Sequence, residues 1–369
     1  MKKIIMTAKH LDAGGIETFI TAIYPFIDKS QYSIDFLITQ KEENDPKGFF
    51  EDDLINQGAK VYRISSKSKN PVRAFKDLKK FFQEHPEYEI FHINDGGGSA
   101  FPLYIAKRYS KCKMIVHCHN AGSKSWKQNL VMKLFRGYVL SNAKCVACSK
   151  KAADWMFGEN SSREILYYGI ETDKFRYDVE ARNCIRKRYG INEDEYLIGH
   201  VGRFNVQKNH DYLLDIFYEY HKINSKSKLM LVGTGELENK IKEKINNYGL
   251  TECVVLTGTT KQVEQYMSAM DIMIFPSLFE GFSIVLIEAQ ANGLRCLISD
   301  TITEESCITE LAQRKSINEP AIKWSDEIER IRNEGLVKRE QYVKIIKEKG
   351  CDRQNTADNL MKIYKDIFL

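Results

Sequence analysis

Two glutamates, Glu280 and Glu288, lie in one apolar segment with seven residues between them. Glu280 follows a predicted strand, and Gly281, Phe282 and Ser283 can present backbone amides at the start of a helix, which is a typical anion site. Glu288 falls inside that helix among apolar residues, where a carboxylate costs several kcal/mol unless it is hydrogen-bonded. A ribose diol would supply two donors to it, and a buried protein partner is the structural alternative.

Two cations flank a short loop that follows the apolar run 196–201. Arg203 and Lys208 both lie just before a predicted helix. A fork-shaped guanidinium and a point-charge ammonium at a helix start would clamp a diphosphate. Two ordinary surface cations are the alternative.

Two glycine-rich turns also follow predicted strands. The Gly14-Gly15 pair opens the first predicted helix, where its amides could approach a phosphate, although a tight turn would explain it equally. Gly233-Thr234-Gly235 is similar to part of a dinucleotide fingerprint, but it lacks the third glycine and lies in the second half of the chain. NAD binding, and with it a two-domain dehydrogenase, is therefore disfavoured.

His117 and His119 end another predicted strand, and their spacing of two directs both side chains to one face. No third metal ligand is near them in the sequence. Polar groups that line a sugar pocket are the favoured interpretation, and two structural histidines are the alternative.

Short apolar strands alternate with amphipathic helical segments along the whole chain. The predicted strands are 3–8, 33–38, 60–64, 90–93, 113–119, 144–148 and 163–166, and then 196–201, 228–232, 254–257, 272–276 and 295–299. The predicted helices are 16–27, 75–83, 210–222, 237–247, 263–269, 283–292 and 354–368. This alternation predicts an α/β protein with two Rossmann-like, doubly wound domains.

The strands pause near 173–182, which predicts two domains. We expect a first domain over 1–175, a second over 176–350, and a C-terminal helix in 351–369 that could pack back on the first domain. Ligands of doubly wound sheets bind outside the carboxyl ends of the strands, so the sequence predicts a cleft between facing domains.

The basic residues of the chain are unevenly distributed. The net charge is +5, yet residues 104–153 hold eleven Lys or Arg and no Asp or Glu. Such a block binds something anionic. Basic side chains interleaved with aromatic ones suit a membrane interface, and we expect that surface to include Lys124, Trp126, Lys127, Lys133 and Arg136. A solvated helical face is the alternative, and no recognition motif accompanies the charge to favour nucleic acid.

Composition excludes several classes of protein. With 43% apolar residues the chain can bury a core, and its longest apolar stretch, 19–27, is too short for a membrane span. The early charged residues of the N-terminus predict a buried first strand and not a signal peptide. The nine cysteines, including Cys145 and Cys148, are expected to be reduced core thiols in a cytoplasmic protein.

Taken together, these motifs resemble those of the retaining, family 4 glycosyltransferases of the GT-B fold, and the resemblance spans nearly the whole chain. It rests on the Gly14-Gly15 loop, the His-x-His strand end, the stretch 168–171, Arg203 with Lys208, the 233–235 turn and the Glu280–Glu288 pair. The runs 200–203, 207–210 and 276–282 are most similar to those of bacterial enzymes that build capsular or exopolysaccharide repeat units.

The resemblance implies a role for each matched residue. Arg203 and Lys208 would hold the donor's diphosphate, completed by Gly15 and by the amides around Phe282 and Ser283. Glu288 would bind the ribose and Glu280 the transferred sugar. His119 would lie beside the reacting face of the sugar, with His117 as the second choice.

The resemblance also implies a mechanism and partners. The sugar would leave a nucleotide diphosphate, by default UDP with GDP-mannose as second choice, and keep its anomeric configuration. With no Asp-x-Asp triplet, no metal is expected, and the two cations would stabilise the leaving diphosphate. The acceptor would be an undecaprenyl-diphosphate-linked saccharide, reached by peripheral attachment to the inner face of the plasma membrane.

Two further functions stay open at this point. One is a soluble glycosyltransferase that acts on a small molecule or a protein. The other is a protein that binds nucleotide sugars without turnover. The stretch 303–305, with Glu304, has no assigned role beyond possible pocket lining.

Overall fold

The computed structural model of the chain describes residues 1–12, 15–39, 45–120, 122, 126–280, 282–335 and 337–369. Two units emerge: residues 1–169 with 353–369, and residues 170–352. The sequence predicts divisions after residues 175 and 350, so the boundaries in the structure differ from the predicted ones by a few residues. Gly14, Lys124 and Gly281 lie outside the described residues, as does the side chain of Lys127.

In its described residues, the first unit contains a seven-stranded parallel sheet in the order β3-β2-β1-β4-β5-β6-β7. Its strands are β1 (Lys2–Ala8), β2 (Tyr32–Ile38), β3 (Val61–Arg63), β4 (Ile90–Ile93), β5 (Lys113–Cys118), β6 (Lys144–Ala147) and β7 (Glu164–Ile165). Its helices are α1 (Gly15–Ile23), α2 (Glu51–Asn56), α3 (Pro71–Glu84), α4 (Ala100–Tyr109), α5 (Trp126–Asn142) and α6 (Lys150–Phe157), with the C-terminal helix Arg353–Asp366.

Local sequence explains where several of these helices begin and end. Asn70 caps α3 ahead of Pro71, and Ser149 caps α6 by accepting the amide of Ala152. The predicted helix 16–27 is shorter in the structure. It ends at Ile23, and Pro25 lies in a following 3₁₀ turn over Tyr24–Phe26, because proline cannot donate the bond that a helix interior needs.

In the described part of the second unit, six parallel strands follow the order β10-β9-β8-β11-β12-β13. They are β8 (Tyr196–Val201), β9 (Ser227–Val232), β10 (Val254–Gly258), β11 (Ile272–Phe275), β12 (Arg295–Ser299) and β13 (Ala312–Lys315). The helices are α7 (Val179–Arg188), α8 (His210–Ile223), α9 (Glu238–Asn247), α10 (Val263–Ala269), α11 (Ile284–Ala291), α12 (Ala321–Asn333) and α13 (Tyr342–Glu348). The helix Arg353–Asp366 of the first unit is α14.

Both sheets have the doubly wound form that the sequence predicts, so the predicted fold class is confirmed at the level of each domain. The order of strands reverses between β1 and β4 in the first sheet and between β8 and β11 in the second. In such sheets the loops on either side of this reversal form the crevice where ligands bind. The edge strand β13 was missed because its sequence, Ala-Gln-Arg-Lys, is polar and only half-buried.

The C-terminal helix α14 returns to the first unit and packs against α1 and the 3₁₀ turn at Tyr24–Phe26. Buried Leu360, Ile363 and Tyr364 form its inner face. This helix therefore completes the core of the first unit although it is the last part of the chain.

Candidate functional site

The candidate site in the second unit lies where its strand order reverses. The loop after β8 carries Arg203 and Lys208, and the loop after the neighbouring strand β11 carries Glu280. The parallel strands end on the same side, so residues far apart in sequence meet at one edge of the sheet.

Lys208 and Glu280 form an ion pair at this edge. Lys208 Nζ donates to Glu280 Oε1 at 2.7 Å, and the side chains are only 15% and 10% exposed. The ammonium also lies 4.2 Å from the ring centroid of Phe275, the last residue of β11. A cation this well shielded from water interacts strongly with any anion that reaches it.

Three hydrogen bonds hold the two loops together. Gln207 Nε2 donates to the carbonyl of Phe279 at 3.0 Å, and the amide of Leu278 donates to the carbonyl of Gln207 at 2.8 Å. Asn209 Nδ2 donates to the carbonyl of Pro276 at 3.1 Å. Asn209 has φ of 56°, a left-handed conformation that asparagine tolerates better than most residues. The position of Lys208 opposite Glu280 is therefore built into the backbone.

Arg203 is held much less firmly. Its Nε contacts Glu236 Oε2 at 3.2 Å, but the two side chains are 68% and 54% exposed. Exposed pairs of this kind contribute about 0–1 kcal/mol, so the guanidinium can leave Glu236 at little cost.

The glycines of the 233–235 turn serve backbone packing. A Cβ at Gly235 would lie 2.5 Å from the carbonyl oxygen of Phe204, and one at Gly233 would lie 2.2 Å from that of Gly202. The amide of Phe204 donates to the carbonyl of Thr234 at 2.9 Å. The Gly-x-Gly turn thus supports the loop that carries Arg203.

Four buried polar atoms near this edge have no hydrogen-bond partner within the described residues: His200 Nε2, Ser277 Oγ and both ring nitrogens of His210. His200 Nδ1 donates to the carbonyl of Ile274 at 2.8 Å, which leaves Nε2 as a bare acceptor beside Gly202 and Lys208. Burial holds the pKa of His200 well below its usual range, and burial also lowers the pKa of His210 to about 4. Buried polar atoms of this kind are uncommon in proteins and accumulate where ligands bind.

The remaining donor-binding candidates of the second unit lie in helix α11 or in the two residues just before it. The backbone amide of Ser283 donates to Ser306 Oγ at 3.1 Å. It is therefore not free to bind an anion, contrary to the expectation from the sequence. Phe282 is buried, and Glu288 is half-buried one turn into the helix. Glu304 lies outside this group, since it pairs with Arg314 at an exposed position.

In the first unit, Gly15 is the first residue of α1, and His117 and His119 lie at the end of β5. Both imidazoles are buried, and their ring centroids are 4.1 Å apart. His119 Nε2 contacts Asn94 Oδ1 at 2.7 Å, and its Nδ1 contacts the Tyr168 hydroxyl. Both ring nitrogens are therefore engaged within the protein, so a bond to a sugar hydroxyl would require one of these contacts to open.

Sequence reasoning missed a third histidine in this cluster. His92 of β4 is fully buried, and its Nε2 lies 3.2 Å from His117 Nδ1. The signal was a single polar residue inside the apolar run Ile90-Phe91-His92-Ile93. Among the described residues, no group of three or more His, Cys, Asp or Glu has an arrangement that could hold a metal ion.

Helix α5 carries the aromatic part of the predicted basic surface. Trp126, Leu130, Val131, Leu134 and Phe135 are all exposed along it, and the exposed Lys133 lies among them. We call these five apolar residues the α5 apolar face. Exposed cations of the same basic block are Lys107, Arg108, Lys111, Lys113, Lys150 and Lys151.

Arg136 differs from the expected role of a surface cation. Its guanidinium donates to the carbonyls of Met156 and Trp155, at 3.1 and 2.9 Å, and so binds the last turn of α6. Cys145 and Cys148 are both buried, which agrees with the core position predicted for them. Among the described residues, no helix is long and apolar enough to cross a membrane.

Comparison with known proteins connects these sites to one family. Residues 13–174 match the pattern described as Glycosyltransferase Family 4, and residues 181–349 match that of Glycosyl transferases group 1. The EpsF protein of Bacillus subtilis (strain 168), named as a glycosyltransferase, is 31% identical over 372 residues, which cover 98% of this chain and 96% of EpsF.

Two further comparisons concern a named activity and the fold. The chain is 22% identical over 277 residues to the Escherichia coli UDP-Gal:alpha-D-GlcNAc-diphosphoundecaprenol alpha-1,3-galactosyltransferase, covering 69% of this chain and 70% of that enzyme. The crystal structure of Anabaena HepE in complex with UDP-glucose matches with a TM-score of 0.82 at 15% identity, over 99% of this chain and all of HepE. The chain therefore belongs to the family 4, group 1 glycosyltransferases, with the GT-B type of fold.

Proposed function

We propose that this protein is a retaining glycosyltransferase of polysaccharide synthesis that moves a hexose from a UDP-sugar to a lipid-linked saccharide. The observation that carries the proposal is the shielded Lys208–Glu280 pair at the strand reversal of the second unit. A buried cation placed at that edge suits a diphosphate, and a carboxylate beside it suits the hydroxyls of the adjoining sugar.

The proposed chemistry assigns a distinct task to each cation. Arg203 leaves its exposed contact with Glu236 and takes one side of the diphosphate, while Lys208 already lies beside Glu280 at the strand reversal. The bond between the anomeric carbon and the diphosphate oxygen breaks, and the acceptor hydroxyl oxygen bonds to that carbon on the same face. Its proton passes to the leaving phosphate, whose growing charge both cations stabilise. No metal enters this scheme.

Glu288 is proposed to bind the ribose, and His119 to lie beside the reacting face of the sugar. Glu288 lies in α11, a helix that is otherwise mostly buried and apolar, and a ribose would supply hydrogen-bond donors to its carboxylate. His119 can bond to a sugar hydroxyl only after its contact with Asn94 or with Tyr168 opens.

The acceptor is proposed to be an undecaprenyl-diphosphate-linked saccharide at the inner face of the plasma membrane. The named substrates of the Escherichia coli relative support this acceptor class. The α5 apolar face supports contact with lipid, and the exposed lysines of the same unit suit anionic headgroups.

A soluble acceptor is the competing possibility, and the basic surface separates the two. Replacement of Lys124, Lys127 and Lys133 by glutamine should abolish transfer to the lipid-linked acceptor while donor binding is kept. Unchanged transfer in that variant would favour a soluble acceptor.

Thermal-shift binding with UDP-, GDP-, ADP- and dTDP-sugars tests the donor class. We expect stabilisation by UDP-sugars in the wild type, loss of that stabilisation in Glu288→Ala, and no loss in Lys240→Ala, an exposed lysine of α9. Stabilisation by GDP-mannose alone would change the donor. Stabilisation that is equal in all three proteins would remove Glu288 from the site.

A further inference from the structure

A continuous series of buried side chains links α14 to the end of β1 through the three histidines of the first unit. Tyr364 Oη lies 2.8 Å from His92 Nδ1, and His92 Nε2 lies 3.2 Å from His117 Nδ1. His117 Nε2 is 3.5 Å from the Tyr168 hydroxyl, which contacts His119 Nδ1. We call these five side chains the histidine relay.

Asn94 fixes the proton at one end of the histidine relay. Its Nδ2 donates to the Thr7 carbonyl at 2.9 Å, and a carbonyl can only accept, so the amide oxygen must face His119. Asn94 Oδ1 is 2.7 Å from His119 Nε2, which must therefore carry the proton. The backbone amide of Asn94 also donates to Thr7 Oγ1 at 2.7 Å, which holds Asn94 beside β1.

The proton on His119 Nε2 fixes the direction in which hydrogen bonds are donated along the relay. With its proton on Nε2, His119 accepts at Nδ1 from the Tyr168 hydroxyl. The Tyr168 oxygen can then accept from His117 Nε2, which leaves His117 Nδ1 to accept from His92 Nε2. His92 Nδ1 in turn accepts from Tyr364. Each of the three imidazoles carries one proton, on Nε2.

The surroundings of the relay favour neutral rings. Burial lowers the pKa of His92 to about 3 and holds those of His117 and His119 well below their usual range. His92 and, to a smaller extent, Lys9, the residue after β1, lower the pKa of His119 further. Phe19 of α1 packs on Tyr168, with ring centroids 3.9 Å apart, and the Cys148 thiol hydrogen-bonds Tyr168.

We propose that Asn94 is a positioning residue that holds His119 as a neutral Nε2–H tautomer, the first ring of a relay in which His117 and His92 have the same tautomer. A reversed His119 would donate from Nδ1 to the Tyr168 oxygen, which has two lone pairs and can still accept from His117 Nε2, so Asn94 acts on His119 directly and on the other two rings only through Tyr168. Asn94 therefore decides whether His119 carries a donor or an acceptor at Nε2. The relevance of this choice to sugar transfer rests on the proposed function, whereas the tautomers can be measured without substrate.

Nitrogen-15 NMR of histidine-labelled protein tests the proposal, since protonated and bare ring nitrogens have well-separated shifts. In the wild type we expect protonated Nε2 and bare Nδ1 at all three histidines, unchanged between pH 5.5 and 8. In Asn94→Leu we expect an Nδ1–H population at His119, whatever its proportion at His117 and His92. Asn94→Asp keeps an oxygen acceptor for His119, so Nε2 should stay protonated, while the added negative charge favours the charged ring.

Control variants separate the relay from general effects on folding. Tyr364→Phe removes only the hydroxyl that donates to His92 Nδ1. The three histidines should keep their Nε2 protons, and the His92 Nδ1 signal should move most. Tyr32→Phe removes a hydroxyl that donates to Met361 of the same helix and should move none of these signals. If Asn94→Leu does not fold, Asn94→Ser, whose hydroxyl is too short to reach His119, replaces it.

Two results would overturn the proposal. One is an Nδ1–H tautomer or a titrating ring among the three histidines of the wild type. The other is the absence of any Nδ1–H population at His119 in the Asn94→Leu or Asn94→Ser variant. An enzyme that transfers no sugar but shows the expected tautomers would refute the proposed function and leave this inference intact.

Discussion

At the scale of single residues, the central feature is competition for one ammonium. Lys208 is bound to Glu280, so under the proposed function a diphosphate would share Lys208 with a carboxylate that repels it. The carboxylate therefore weakens the binding of the bare nucleotide, and this cost is offset only when a sugar hydroxyl also bonds to Glu280.

The variant Glu280→Gln tests this competition. It keeps the shape of the side chain and removes its charge, so we expect UDP to bind about ten-fold more tightly, or ~1.4 kcal/mol. Turnover with the UDP-sugar should fall at the same time. Titration calorimetry with UDP measures the first effect, and weaker UDP binding in the variant would contradict the argument.

At the scale of elements, loop placement depends on glycines that allow close backbone contact. Alanine at Gly235 would place a Cβ 2.5 Å from the Phe204 carbonyl oxygen, whereas Gly137 of α5 has open space around it. The same substitution should thus have opposite effects at the two positions.

We expect Gly235→Ala to lower the free energy of unfolding by about 1–3 kcal/mol, since the Phe204 loop must shift. Gly137→Ala should raise it by roughly 1 kcal/mol, because alanine favours a helix interior over glycine. Urea unfolding of the two variants measures both values. Equal effects of the same sign would show that the contact at Phe204 is not limiting.

The proposed membrane attachment is assigned to helix α5. Leu134 is 71% exposed on the α5 apolar face, and Val72 of α3 is 65% exposed in the same unit. Because burial of a leucine contributes about 1.5–3 kcal/mol, Leu134→Asp should weaken binding to anionic vesicles by ~10-fold or more, and Val72→Asp should leave it unchanged.

Flotation with vesicles at low and high salt measures this effect. We expect weak binding by the wild type that decreases as salt screens the lysines. Equal losses in the two variants, or binding that salt does not change, would place attachment elsewhere.

At the scale of the whole molecule, buried histidines link stability to pH in both units. His92, His117 and His119 of the first unit and His200 and His210 of the second all have lowered pKa values because burial disfavours the charged ring. In the unfolded chain they protonate near pH 6.5, so the unfolded state binds more protons below that pH.

The contribution of these histidines to the free energy of unfolding should therefore be fully present above pH ~7. It should fall as the pH drops from about 6.5 toward their lowered pKa values, which for His92 is about 3. Each neutral histidine contributes about 1.4 kcal/mol per pH unit in this window. Proton uptake during urea unfolding at pH 5.5 measures the number of such groups, and His92→Gln should lower it by about one. Stability that does not change between pH 7.5 and 5.5 would contradict the assignment.

Much of the architecture could be predicted from the sequence, because buried parallel strands are continuous apolar runs. β4, β8 and β12 occur at the predicted residues. Polar, half-buried β13 carried no such signal. The loops after β8 and β11 could be chosen as the site because ligands bind beyond strand ends, and the structure brings Lys208 and Glu280 together there.

Other features depend on contacts that no local pattern records. His92 and Tyr364 are 272 residues apart, so the histidine relay exists only after α14 has packed on the first unit. The amide of Ser283 is hydrogen-bonded to Ser306, and the guanidinium of Arg136 is hydrogen-bonded to α6. Both partners are distant in sequence, so the local motif would leave these groups free.

The most direct test of the central claim is a transfer assay with a radiolabelled UDP-hexose and undecaprenyl-diphosphate-linked saccharides. We expect the wild type and Lys240→Ala to move label into the lipid fraction with retained anomeric configuration. Lys208→Ala should be at least ~100-fold slower, since it loses the ammonium that stabilises the leaving diphosphate. Transfer at the wild-type rate by Lys208→Ala, or a product of inverted configuration, would contradict the account.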